Sequence, residues 1–69
     1  MKYKNRLKWM REYKGMTQKE LADKSGVNLA MIQHYEQGYK DINNAKVLTV
    51  LSLAEALGCD VYEIINDRE

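Results

Sequence analysis

The sequence predicts an all-α fold, a five-helix bundle with no strand. Three observations carry that expectation. Apolar residues recur at helical spacing along most of the chain. Glycines at 15, 26, 38 and 58 each follow a periodic stretch, where a helix is normally stopped. Two runs, Thr17 to Glu20 and Asp60 to Glu63, have the spacing of a capping box, in which residues at the helix start exchange side-chain and backbone hydrogen bonds. The 69 residues form one expected domain, 1–69. A domain of this size buries a smaller fraction of its unfolded surface than a larger one, so a partner subunit would add to its stability.

Each element follows from local signals. Helix one is expected over 3–14, with Leu7, Met10 and Tyr13 at helical spacing and Gly15 as its stop. Helix two opens at Gln18 behind the Thr17 cap, turns Leu21 and Ala22 inward and ends by Gly26. Asn28 caps helix three, which runs through Gln37 and is closed by Gly38. Two short helices joined by a tight glycine turn make a helix-turn-helix over 18–37. A polar connection, 39–43, leads to Asn44 as the expected cap of helix four over 45–57. That helix has one apolar stripe at Val47, Val50, Leu51 and Ala54, and further apolar residues at Leu48, Leu53, Ala56 and Leu57. Such width implies a helix at the centre of the bundle or one shared with another molecule. Asp60 opens a short fifth helix with Val61, Ile64 and Ile65 on one side, and 66–69 form a polar tail.

Composition narrows the function. Apolar residues make up 45% and charged residues 30% of the chain, a balance that suits a soluble globular protein. The single Cys59 excludes an internal disulfide and leaves no thiolate cluster for a metal. It reads as a small apolar filler in a reducing compartment, which makes the cytoplasm the expected location. The basic start is followed by Leu7-Lys8-Trp9-Met10-Arg11 and not by the unbroken apolar run of a secretion signal, and no stretch is long and apolar enough for a membrane span. One histidine, one cysteine and no glycine-rich phosphate loop offer no constellation for catalysis, so neither an enzyme nor a cofactor or metal is expected.

The net charge of +1 conceals an asymmetry. Lys2, Lys4, Arg6, Lys8, Arg11, Lys14 and Lys19 face only Glu12 within residues 1–19, whereas the remainder of the chain is acidic. A basic beginning could sit on phosphate with the acidic end turned away, or the lysines could merely solvate helix one.

The run from Met16 to Asn28 (MTQKELADKSGVN), with Ile32, Tyr35-Glu36-Gln37-Gly38 and Leu53-Ala54-Glu55-Ala56-Leu57-Gly58, resembles the XRE family of helix-turn-helix proteins, which includes the phage Cro and repressor domains. The resemblance spans residues 5–66 and implies a lambda-repressor-like DNA-binding domain that regulates transcription, as a repressor, from the cytoplasm. Its parts make physical sense independently: Ala22 is small where two helices cross, Gly26 takes the turn, and Val27 and Ile32 fill the space beneath. The segment between Gly38 and Leu53 is longer than in the commonest members.

Helical periodicity turns Ile32 and Glu36 inward and projects Ala30, Gln33, His34 and Gln37 outward. These are the expected base readers, since a glutamine amide can pair with an adenine edge and an alanine methyl can touch thymine. The resemblance adds Leu29 at the first base-contact position, where it is either an apolar contact or core. It also implies phosphate contacts for Gln18, otherwise a solvated side chain, and for Asn28, otherwise simply a cap. Tyr39, Lys40 and Asn43 lie in the loop that relatives lay along the backbone. Arg11 and Glu36 occupy positions that some members pair between helices one and three, which would hold Arg11 beside phosphate.

A symmetric homodimer on a palindromic operator in double-stranded DNA is the expected working form, because one short recognition helix gives limited specificity and two half-sites multiply it. Leu53, Leu57, Tyr62 and Ile65 are the expected shared patch, with plain core as the other reading of the two leucines and Ile65. The alternative function is a protein-interaction or antitoxin-like module that uses the apolar face Leu29-Ala30-Met31 to bind a protein partner.

Overall fold

The computed structural model describes residues 5–65. It has four α-helices, α1 (Arg6–Tyr13), α2 (Gln18–Ser25), α3 (Leu29–Gln37) and α4 (Val47–Leu57), and two single 3-10 turns, Ile42–Asn44 and Val61–Glu63. No strand occurs among the described residues. The all-helical expectation therefore holds, but the fifth helix is one 3-10 turn. Its opening follows the expected capping logic, with the Asp60 N–H donating to the Glu63 carboxylate at 3.1 Å.

The helix starts show which local signals dominate. Thr17 Oγ1 accepts from the Glu20 N–H at 3.0 Å and the Glu20 carboxylate accepts from the Thr17 N–H at 2.8 Å, the complete capping box. A cap of this kind contributes about 1 kcal/mol. Helix one starts at Arg6, later than expected, because Asn5 is its cap, with φ −127° and a side chain that accepts from the Lys8 N–H. Residues 3 and 4 of the expected helix, and the expected tail 66–69, lie outside the described residues. Helix four also starts later, at Val47. Asn44 is not its cap, because the chain first makes the 3-10 turn begun by Asp41, whose Oδ1 accepts from the Asn43 N–H at 2.9 Å.

Between α2 and α3 the chain reverses at Gly26, which adopts φ +78° and donates its N–H to the Ala22 carbonyl at 2.9 Å. That left-handed conformation is costly for any residue with a Cβ, so glycine fixes where α2 ends. The reversal sets α2 against α3, while α4 packs on α2, and α1 contacts α3 and the C-terminal 3-10 turn.

The core gathers Leu7, Met10, Leu21, Ile32, Tyr35, Ile42, Val50, Leu53, Ala54, Leu57 and Ile64, with Ala22, Val27 and Met31 packed against it. Fully burying a leucine or isoleucine contributes about 1.5–3 kcal/mol. Tyr13, grouped by spacing with Leu7 and Met10, lies outside the core and stacks on Trp9 with centroids 5.1 Å apart. On α4 the buried residues are Val50, Leu53, Ala54, Ala56 and Leu57, and the expected stripe is split, because Val47 and Leu51 are exposed together with Leu48.

Candidate nucleic-acid interface

Helix α3 divides its residues as the periodicity requires. Ile32 and Tyr35 are buried and the Glu36 carboxyl group is turned inward, whereas Ala30 and Gln37 are exposed and Gln33 and His34 are half-buried. Leu29 stands at the exposed margin of the helix, and Met31 packs against the core. Of the apolar face at 29–31, Leu29 and Ala30 are exposed and Met31 is partly buried. At the helix start, Asn28 Oδ1 accepts from the Ala30 N–H at 2.7 Å, so the cap reading of Asn28 is realised.

Glu36 is the hub beneath this helix. Arg11 donates from Nε to Glu36 Oε2 at 2.7 Å and from Nη2 to Oε1 at 2.9 Å, and Gln18 Nε2 donates to Oε1 at 3.0 Å. The third Arg11 nitrogen, Nη1, donates to the Met16 carbonyl at 2.7 Å. Each guanidinium nitrogen thus has an internal partner, and the residue is buried. The pair expected between Arg11 and Glu36 is present, and with the Met16 contact it forms an internal brace joining α1, the α1–α2 connection and α3. Its hydrogen bonds to Glu36 hold the guanidinium above the ordinary arginine value against the opposing effect of burial. Gln18, the first residue of α2, spends one of its two N–H donors on Glu36, which orients the amide.

The segment after α3 is fastened to its last turn. The N–H groups of Tyr39 and Lys40 both donate to the His34 carbonyl, at 2.9 and 3.2 Å. The Tyr39 ring meets the His34 imidazole edge-on, with centroids 5.9 Å apart. Tyr39 and Lys40 are exposed, and Asn43 is half-buried within the following 3-10 turn. The structure therefore brings Gln33, His34, Gln37, Tyr39 and Lys40 to one end of α3, with Ala30, Asn28 and Leu29 at the other.

Sequence reasoning missed Asn5. Its Nδ2 donates to the carbonyls of Tyr35 and Glu36, at 2.9 and 2.6 Å, while its Oδ1 caps α1. An asparagine two positions before Leu7 was a legible cap signal, but nothing local could reveal its second set of partners, thirty residues away.

The expected shared patch is also corrected. Leu53 and Leu57 are 0% and 2% exposed within the single chain and belong to its core. Tyr62 is 79% exposed, and Ile65 is half-buried against the core.

Residues 7–64 match the helix-turn-helix family. Among solved structures, the chain is similar to the restriction-modification controller protein C.AhdI from Aeromonas hydrophila, with 33% identity, 84% of this chain and 83% of that chain covered, and a TM-score of 0.74. No curated protein matches the chain.

Proposed function

The chain belongs to the XRE-type helix-turn-helix family of DNA-binding transcription regulators, and from that premise we propose that it is a repressor that reads the major groove with α3. The observation that carries this reading is the division of α3 into a buried side locked through Glu36 and an outward side made of Ala30, Gln33, His34 and Gln37. Hydrogen-bonding amides and a methyl on a rigidly held helix suit base edges, which present donors, acceptors and the thymine methyl in the major groove. Leu29 adds an apolar contact at the margin. Gln18, Asn28, Tyr39, Lys40 and Asn43 supply the phosphate contacts that set register without reading sequence. Occupying the operator excludes other proteins from the same groove, which is repression in its simplest form. The similarity to a restriction-modification controller supports a regulatory role.

The working form is a homodimer on a palindromic operator. Its shared surface uses Tyr62 and Ile65 together with the outer side of α4, where Val47, Leu48 and Leu51 leave large apolar side chains in water. A two-fold contact of this kind would repeat the same patch on both copies and present two recognition helices to one duplex.

Selection of bound sequences from a random DNA pool, followed by a salt titration on the enriched site, tests the reading. The expected result is a two-fold symmetric motif with half-sites about one helical turn apart, and an affinity that falls steeply as salt rises. A pool that enriches no motif, with weak and salt-insensitive binding, overturns it.

A further inference from the structure

We infer that Asn5 is a positioning residue for sequence recognition: through its carboxamide, helix α1 fixes the C-terminal end of the recognition helix and so sets how Gln33 and Gln37 stand against the bases. The inference rests on the DNA-reading role assigned to α3 above. It starts from a general deficit: the last four carbonyls of an α-helix have no partner within the helix. In α3 the segment that follows satisfies only part of this set. The His34 carbonyl accepts from Tyr39 and Lys40, and the Tyr35 carbonyl accepts from Gly38 at 3.3 Å. The Glu36 carbonyl is met by Asn5 Nδ2 at 2.6 Å, and the same nitrogen reaches the Tyr35 carbonyl at 2.9 Å.

Both N–H donors of the amide are thus spent on α3, while its oxygen accepts from the Lys8 N–H at 3.0 Å and caps α1. One planar group therefore ties the first turn of one helix to the last turn of another. Six residues further along α1, Arg11 grips the carboxylate of Glu36. Glu36 is consequently held to the same helix twice, through its backbone by Asn5 and through its side chain by Arg11. A single link would leave the end of α3 free to pivot about Glu36, whereas two links at separate points of α1 remove that pivot. Gln33 and Gln37 flank the fixed point in sequence and on the outward side, so their reach is what the second link controls.

Asn5→Ser and Asn5→Asp separate this role from capping. Both keep an acceptor oxygen for the Lys8 N–H at a position where serine and aspartate cap as well as asparagine, and both remove the two donors to α3. Each variant is compared with the unmutated protein on the selected site, on sites altered base pair by base pair, and on unrelated DNA, at a temperature where circular dichroism shows full helicity. The expected result is a loss of about tenfold in preference for the correct base at the positions read by Gln33 and Gln37, as the weakening of one amide–base contact would give. Binding to unrelated DNA should stay unchanged in the neutral Asn5→Ser variant. In a Gln33→Ala, Gln37→Ala background the Asn5 substitutions should have almost no further effect on preference, since the groups they act through are gone. Folded variants with unchanged base preference, a uniform loss on all DNA by Asn5→Ser, or the same loss of preference in the double-alanine background would each overturn the inference and leave the DNA-reading role intact. Failure of the unmutated protein to prefer any sequence would instead remove that role, and this inference with it.

Discussion

Arg11 and Glu36 form a two-pronged ion pair with both side chains withdrawn from water, 10% and 2% exposed. Replacing a buried pair together can be nearly neutral, but removing one partner strands the other charge in a poor solvent. Arg11→Ala and Glu36→Ala should therefore each lower unfolding free energy by about 3 kcal/mol. The Arg11→Ala, Glu36→Ala double variant should lose much less than the sum. Urea denaturation of the four proteins checks this, and strict additivity would show that the pair is not a unit.

Base readers and phosphate contacts should separate in binding assays. Gln33→Ala and His34→Ala should change which sequences are preferred, while Gln18→Ala and Lys40→Ala should weaken binding to all sequences alike. Removing the Lys40 charge should also reduce the slope of log affinity against log salt by about 1. Competition binding against single-base variants of the selected site measures both effects. Equal shifts in preference from the two sets would mean that the roles are wrongly assigned.

On α4 two leucines on different faces should behave oppositely. Leu53→Ala creates a cavity in the core and should cost about 2–5 kcal/mol of stability in the single chain. Leu48, 76% exposed, can become aspartate with little effect on folding. Leu48→Asp and Tyr62→Asp should instead weaken self-association and binding to a palindromic site together. Sedimentation at micromolar protein, with and without DNA, is the measurement, and unaltered association in both aspartate variants would move the dimer contact elsewhere.

Cys59 gives the chain a pH-dependent element. Burial is the main cause that pushes its thiol above the ordinary range, the nearby Glu63 adds to the effect, and Lys14 opposes it. A group whose folded pKa is raised holds its proton more tightly in the folded state. Its contribution is complete below the unfolded thiol pKa and is lost as pH rises through the folded one. Stability should accordingly decline across the alkaline range, and Cys59→Ala should remove that part of the slope in denaturation curves recorded at a series of pH values. The thiol should also react more slowly with a disulfide reagent at mildly alkaline pH than a free cysteine does.

The sequence by itself determined the elements whose signals close within one or two turns. Thr17 and Glu20 exchange hydrogen bonds across three residues, Gly26 ends α2 by its own backbone conformation, and Asn28 caps α3, so each could be read without knowing what lay nearby. The inward placement of Ile32 and Glu36 on α3 was equally legible from helical spacing. Only the tertiary structure decided the rest. Helix α4 is apolar on more than one side, so its periodicity left open whether Leu53 and Leu57 or Val47 and Leu48 turn inward, and packing against α2 chose the first pair. The charge of Arg11 looked suited to phosphate, but that each of its nitrogens also donates to Glu36 or Met16 was visible only in the fold. Asn5 resembled an ordinary cap, yet its amide also closes the end of α3. Each of these outcomes depends on partners distant in the chain, which meet only when the helices have packed, and a local pattern carries no record of that meeting.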